Sequence, residues 1–251
     1  MVGKKSENES VQVKRPGGEM ATRPLHFIFI ADCSGSMSVN GKIESLNQAI
    51  KLVIPLMVKV ADENPHAQIL VRALAFSVGA QWHLSQPTPV EQFSWTDLEI
   101  PDDSFATDMG RAFEMVAAQL KMPPMTDRAL PPVLVLLTDG GPTDDASAGL
   151  RVLLAEPWGK KAVRVAIAIG DDAELGILEK FIDHPELKPL RANSPEQLVK
   201  YIKWASTAVL KAASSPASRA AAAVTDSRVN VPLPALPDDE EEDEVDKPLV
   251  W

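Results

Sequence analysis

Short runs of apolar residues alternate along this chain with longer segments in which apolar side chains recur every three or four positions. The short runs are typical of buried strands, and the longer segments are typical of helices with one buried face. Strands are predicted at residues 25–31, 69–76, 81–84, 132–137 and 163–170, and helices at 42–62, 107–120, 144–154, 173–181 and 195–211.

Strands that alternate with helices predict an α/β fold, a doubly wound, mostly parallel sheet with helices on both faces. The short run at 81–84 is predicted to be an edge strand. Pro55 lies inside the first predicted helix, so a kink or break is expected there. Asp144 and Asp145 are suited to cap the helix at 144–154, and Ser194 opens the last helix.

One carboxylate and two hydroxyls follow the first predicted strand at alternate positions, as Asp32, Ser34 and Ser36. Open α/β sheets bind ligands at the carboxyl ends of their strands. Oxygen donors on a tight loop suit Mg²⁺ or Mn²⁺ better than zinc or copper. The alternative for the two serines is helix capping or turn formation, which needs no metal.

Two further segments extend this pattern. Thr107 and Asp108 lie in a loop that opens a predicted helix, and Asp139 ends another buried run as Thr-Asp-Gly. Taken alone, Asp139 could be a turn residue and Asp108 a helix cap. Asp32, Ser34, Ser36, Thr107 and Asp139 follow one another in the order of a known metal-binding motif. In this respect the chain resembles the von Willebrand factor A family and its metal-ion-dependent adhesion site. The resemblance covers roughly residues 25–210.

The resemblance implies a binding module. Asp32 would anchor the ion, directly or through water. The hydroxyls of Ser34, Ser36 and Thr107 would coordinate it without cancelling its charge, and Asp139 would accept hydrogen bonds from metal-bound water. An ion with mostly neutral ligands favours a carboxylate from outside the domain as its sixth ligand. In the family, a partner's Asp or Glu is captured in this way.

The second function considered is a metal-assisted hydrolase or phosphoryl-transfer enzyme with Asp32 as nucleophile. Such enzymes need a phosphate-binding Lys or Arg and a general acid near the metal. Aspartyl phosphotransferases commonly carry a second acidic residue two positions on, where this chain has Ser34. No G-x-x-x-x-G-K loop is present either. A binding module is therefore preferred over an enzyme.

Composition and charge add a cellular setting. The chain has 251 residues and a net charge of −10, and no basic face is evident for nucleic acid. No apolar stretch is long enough to cross a bilayer, and residues 1–23 are polar, without an apolar segment that could act as a secretory signal. Cys33 is the single cysteine, so no internal disulfide can form. These features predict a cytoplasmic protein.

Three regions are expected: a flexible N-terminal segment at 1–23, a von Willebrand factor A domain at 24–211, and a flexible acidic C-terminal tail at 212–251. Residues 238–247 hold eight acidic residues and one lysine. The tail could be a solubiliser, occupy the metal site itself, or present a docking peptide that ends in Leu249-Val250-Trp251. The docking peptide is preferred over occupation of the site.

The size of the domain resembles the bacterial tellurite-resistance-associated (TerY-like) group. That resemblance implies a protein kinase or a PP2C-type phosphatase as partner, and the related modules of the family imply an AAA+ ATPase. The histidines and two later aspartates are not expected to belong to the site. The four histidines lack zinc-site spacing, so His26 and His83 are expected to be structural. Asp171 and Asp172 are expected to be solvated loop residues.

Overall fold

The structure is a computed structural model that describes residues 22–214. In this described part of the chain, six strands form one sheet in the order β3-β2-β1-β4-β5-β6. Every neighbouring pair is parallel except β2 with β3, which is antiparallel. The strands are β1 (Arg23–Asp32), β2 (Ala67–Ser77), β3 (Gly79–Pro89), β4 (Val133–Thr138), β5 (Val163–Ile169) and β6 (Leu190–Ala192).

Between residues 22 and 214, seven α-helices connect and cover the strands. Helix α1 packs with α6 and α7 on one side of the sheet, and α2 packs with α3, which also contacts α5, on the other. The predicted doubly wound α/β fold is therefore confirmed. The helices are α1 (Lys42–Glu63), α2 (Met109–Gln119), α3 (Ala146–Ala155), α4 (Pro157–Lys161), α5 (Leu175–Ile182), α6 (Pro195–Trp204) and α7 (Leu210–Ser214).

The apolar runs form the core because both faces of the central strands are covered. All residues of β4 and β5 are buried, as are the last six residues of β1. Strands buried on both faces read as continuous apolar runs, which is why the sequence pattern located them. The core therefore fixes the strand ends at which the predicted site residues lie.

The structure differs from the predicted elements at several points. Helix α1 runs through Pro55 without a break. Pro55 has no N–H to donate to the carbonyl of Lys51. Both residues are exposed, so water can donate to that carbonyl instead. Strand β3 is longer than predicted, and α6 continues through a π-helical segment (Ala205–Val209) into α7. The short elements β6 and α4 had no periodic signal and were not predicted.

The predicted terminal segments, and with them the acidic stretch and Leu249-Val250-Trp251, lie outside the described residues apart from 22–23 and 212–214. Within residues 22–214, no helix is long and apolar enough to cross a membrane.

Candidate metal centre

The predicted site residues lie where two neighbouring strands end. Asp32 is the last residue of β1, and Asp139 directly follows β4. Strands β1 and β4 are adjacent and parallel, and the strand order reverses between them. The carboxyl ends of strands at such a reversal form the usual binding crevice of an open α/β sheet. The fold therefore brings these two carboxylates to one edge.

The carboxylate of Asp32 is completely buried. Its Oδ1 accepts a hydrogen bond from the backbone N–H of Ser34 at 2.8 Å, and its Oδ2 accepts one from the Thr138 hydroxyl at 2.6 Å. Burial raises the pKa of Asp32 and Asp139 adds to the rise, whereas the hydrogen bonds from Ser34 and Thr138 oppose it. Asp32 is thus a fixed carboxylate that a nearby positive charge would stabilise.

A chain of polar contacts joins the two strand ends. The Ser34 and Ser36 hydroxyl oxygens are 3.1 Å apart, and the Ser36 hydroxyl donates to Asp139 Oδ1 at 2.7 Å. Asp139 is also completely buried. Its Oδ2 lies 2.8 Å from Nζ of Lys42, whose side chain is 7% exposed. Four of the five predicted residues therefore lie in one cluster, together with a buried lysine.

Thr107, the fifth predicted residue, lies in the loop before α2, and hydrogen bonds join that loop to the loops that carry the cluster. The backbone N–H of Thr107 donates to the Thr143 hydroxyl at 2.8 Å, and its carbonyl accepts from the N–H of Thr143 at 3.0 Å. On the other side, the N–H of Gly35 donates to the carbonyl of Ser104 at 2.7 Å. The loop of Thr107 is thus fastened to the loops that follow β1 and β4.

Asp108 does not cap the helix that it precedes. Its carboxylate accepts from the N–H of Gly79 at 2.7 Å and from the Thr143 hydroxyl at 3.1 Å. The N-terminus of α2 is capped instead by Asp144, which accepts from the N–H groups of Gly110 and Arg111, both at 2.8 Å. Of the two aspartates predicted to cap α3, only Asp145 does so, through the N–H of Ala148.

The remaining candidates lie apart from this cluster. His26 is half-buried in β1, His83 contacts the carbonyl of Thr96 at 2.8 Å, and His184 accepts from two backbone N–H groups of its own loop. Asp171 and Asp172 are exposed. Among residues 22–214, no three His, Cys, Asp or Glu side chains are grouped to hold a metal ion. A metal site here would therefore need hydroxyl ligands.

Sequence reasoning missed Lys42, Thr138 and Thr143. Thr138 precedes Asp139 in the same motif, and the pairing of Ala31 with Leu137 places it beside Asp32. A lysine that opens a helix is normally solvent-exposed, so no local pattern predicts that Lys42 is buried. Thr143 carried no signal of its own.

The donor set fits a hard divalent cation. The candidate ligand atoms of the cluster are all oxygens, from two buried carboxylates and two hydroxyls, with Thr107 on the adjoining loop. Lys42 supplies one positive charge against the two carboxylates, so a negative charge remains when both are ionised. Buried charge of this kind requires a counter-ion or protonation.

The architecture defines an α/β domain with a polar cluster at its strand-order reversal. Searches of protein families and of curated proteins gave no match. Solved structures with the same fold are von Willebrand factor A domains, so the chain has the von Willebrand factor A fold.

Three of these structures illustrate the likeness. VWA2, the ArnB paralog from Sulfolobus acidocaldarius, is 18% identical with a TM-score of 0.54, over 73% of this chain and 45% of its own. A von Willebrand factor type A protein from Catenulispora acidiphila is 18% identical with a TM-score of 0.52, over 75% and 43%. Proximal thread matrix protein 1 from the mussel byssus, with a zinc-occupied MIDAS motif, is 17% identical with a TM-score of 0.52, over 76% and 47%. This chain thus spans less than half of each.

Proposed function

We propose that this chain is a metal-dependent protein-interaction module. Asp32, Ser34, Ser36, Thr107 and Asp139 would hold Mg²⁺ or Mn²⁺, and the loaded site would bind an Asp or Glu side chain of a partner protein. The observation that carries the proposal is the contact across two strand ends, where the Ser36 hydroxyl lies 2.7 Å from Asp139 Oδ1. These two residues are 103 positions apart in the chain, yet their side chains meet in a partly buried hydrogen bond, which two independent turn residues would not need to make.

Each residue has a distinct part in this proposal. Asp32 is the buried anchor, oriented by the N–H of Ser34 and the hydroxyl of Thr138. Ser34 and Ser36 offer neutral oxygens, and Asp139 orients Ser36. A bound divalent ion would supply a Lewis-acidic position that favours a carboxylate ligand. The zinc-occupied MIDAS motif of the mussel thread protein supports the same reading for this fold.

The proposal includes the absence of catalysis. Asp32, the nucleophile that such an enzyme would need, is completely buried, and the ammonium of Lys42 is hydrogen-bonded to Asp139. We therefore expect no phosphatase or ATPase turnover from purified protein. Metal-dependent turnover that disappears in Asp32→Asn would instead favour a metal-assisted hydrolase or phosphoryl-transfer enzyme with Asp32 as nucleophile.

The partner is proposed by analogy of size and domain type. A kinase, a PP2C-type phosphatase or an AAA+ ATPase of a TerY-like system would present the acidic residue, in the cytoplasm. Immobilised protein should retain such a partner in Mg²⁺ and release it in EDTA. Asp32→Ala should retain none in either buffer, and equal retention by wild type and Asp32→Ala would contradict the proposal.

Metal binding itself is tested by thermal unfolding. A ligand at 100 times its dissociation constant stabilises the folded state by about 2.7 kcal/mol. For a domain of this size, that corresponds to a rise in Tm of about 5–10 °C. We expect Mg²⁺ or Mn²⁺ to produce this rise in wild type, and Asp32→Ala or Asp139→Ala to abolish it.

The matched control is Asp171→Ala, which removes an exposed aspartate outside the cluster. It should keep the full rise in Tm. Calorimetry that detects equal Mg²⁺ binding by wild type and Asp32→Ala would refute the assigned site.

A further inference from the structure

Lys42 makes an unusual contact for the first residue of a helix. Its ammonium lies 2.8 Å from Asp139 Oδ2, and neither side chain is substantially exposed. The other oxygen of the same carboxylate accepts from the Ser36 hydroxyl. Asp139 is therefore shared between the proposed metal ligands and a fixed positive charge. A lysine is rarely buried without such a partner.

Local backbone geometry directs Lys42 into the cluster. Asn40 and Gly41 both have left-handed conformations, with φ of 55° and 69°. These two residues turn the chain at the end of the short 3-10 segment (Gly35–Gly41), and α1 begins at once with Lys42. The backbone N–H of Lys42 donates to the carbonyls of Met37 and Val39. The ammonium is thus placed by the same turn that carries the serine loop.

The charges of the cluster determine what Lys42 would do in a loaded site. With both carboxylates ionised, Asp32 and Asp139 carry two negative charges and Lys42 one positive charge. A divalent ion would bring the sum to +1, whereas without the lysine the sum would be zero. Like charges repel most strongly where water is excluded. The lysine would therefore oppose the ion and favour an incoming anion.

We propose that Lys42 is a positioning residue whose fixed charge weakens cation binding at this site and strengthens the binding of a carboxylate ligand to the loaded site. This inference rests on the proposed function and deepens it, because it assigns the preference for an acidic partner to a residue outside the metal ligands. The charge of Lys42 would keep the divalent ion exchangeable, and tight binding of the ion would require the carboxylate ligand.

The experiment uses the full chain and two measurements. Calorimetric titration gives the affinity for Mn²⁺, and water-proton relaxation of the Mn²⁺-loaded protein follows the displacement of metal-bound water by acetate. We expect Lys42→Met to bind Mn²⁺ on the order of tenfold more tightly and acetate on the order of tenfold more weakly, about 1.4 kcal/mol each. Lys42→Arg keeps the charge and should remain near wild type in both.

The matched control is Lys51→Met on the same helix. Lys51 pairs with Asp97 at 2.6 Å, but both side chains are about half exposed, so its loss should change neither affinity. Lys42→Gln provides a second neutral variant that can still donate a hydrogen bond to Asp139. A purely structural lysine would weaken Mn²⁺ binding when replaced, so opposite shifts in the two affinities distinguish the roles.

Several results would overturn the inference. Unchanged or weaker Mn²⁺ binding by folded Lys42→Met or Lys42→Gln would do so, as would unchanged acetate binding. The inference would also be overturned if Lys42→Met and Lys42→Gln both failed to fold, with and without Mn²⁺, because Lys42 would then be structural. If wild type binds no Mn²⁺ at all, the proposed function fails first.

Discussion

Two adjacent aspartates after β4 cap two different helices. Asp145 accepts from the N–H of Ala148 within its own helix α3, whereas Asp144 reaches α2 and accepts from Gly110 and Arg111. A carboxylate at a helix N-terminus satisfies free N–H groups and interacts favourably with the helix dipole. Asp144 therefore links the loop that follows Asp139 to the helix that follows Thr107.

Replacing Asp144 should measurably weaken the fold. Asp144→Ala leaves two N–H groups of α2 without their acceptor, so we expect the free energy of unfolding to fall by about 1–2 kcal/mol. Urea unfolding followed by circular dichroism measures the change. Asp127→Ala, at an exposed loop position, should stay within about 0.5 kcal/mol of wild type. Equal values for the two variants would show that the cap contributes nothing.

At the scale of elements, helices α2 and α3 approach each other through two glycines. A methyl group on Gly149 would overlap backbone atoms of Gly110, and one on Gly110 would lie 2.7 Å from the carbonyl oxygen of Asp145. The atoms of Gly110 and Asp145 in these contacts are backbone atoms, which cannot rotate away as a flexible side chain can. The contact between the two helices therefore depends on residues without a Cβ, and it holds the Thr107 loop near the loop after β4.

Two glycine-to-alanine substitutions separate this packing from helix propensity. Alanine is favoured over glycine inside a helix by about 1 kcal/mol. At Gly149 the clash should outweigh this gain, and we expect a net loss of about 1–3 kcal/mol in the free energy of unfolding. Gly176 on α5 has open space around it, so Gly176→Ala should be neutral or stabilising by up to about 1 kcal/mol. Denaturant titration of both variants checks this opposite sign.

At the scale of the whole molecule, folding couples to pH through His26. Burial in β1, with a smaller contribution from the charge of Arg72, lowers the pKa of His26 from 6.5 to about 4. The unfolded chain therefore binds a proton that the folded chain excludes between these two values. The contribution of neutral His26 to stability is present above about pH 6.5 and is lost as the pH falls toward 4.

We expect this loss to appear in urea titrations. Between about pH 6.5 and 4, the slope from His26 can reach about 1.4 kcal/mol per pH unit. His26→Gln should have a flatter dependence in this window than wild type, and the difference is measured from the midpoint at each pH. Identical slopes for both proteins would show that His26 is not the group responsible.

Local signals in the sequence determined the fold class and the longer elements, but not the short elements β6 and α4. Continuous apolar runs locate β1, β4 and β5 because these strands are buried on both faces. The identities of Asp32, Ser34, Ser36, Thr107 and Asp139 come from short motifs that can be read within a few positions. Their assignment as metal ligands remains a prediction, although four of the five do lie in one cluster.

Only the tertiary structure decided the partners of these residues. Lys42 meets Asp139 across 97 positions, and Thr138 meets Asp32 across 106. Asp144 and Asp145 are adjacent residues of the same type. Because α2 lies close to α3, Asp144 caps α2 and Asp145 caps α3. The physical reason is that hydrophobic periodicity is a local property. The environment of a polar side chain instead depends on which distant loops the folded sheet brings to the same edge.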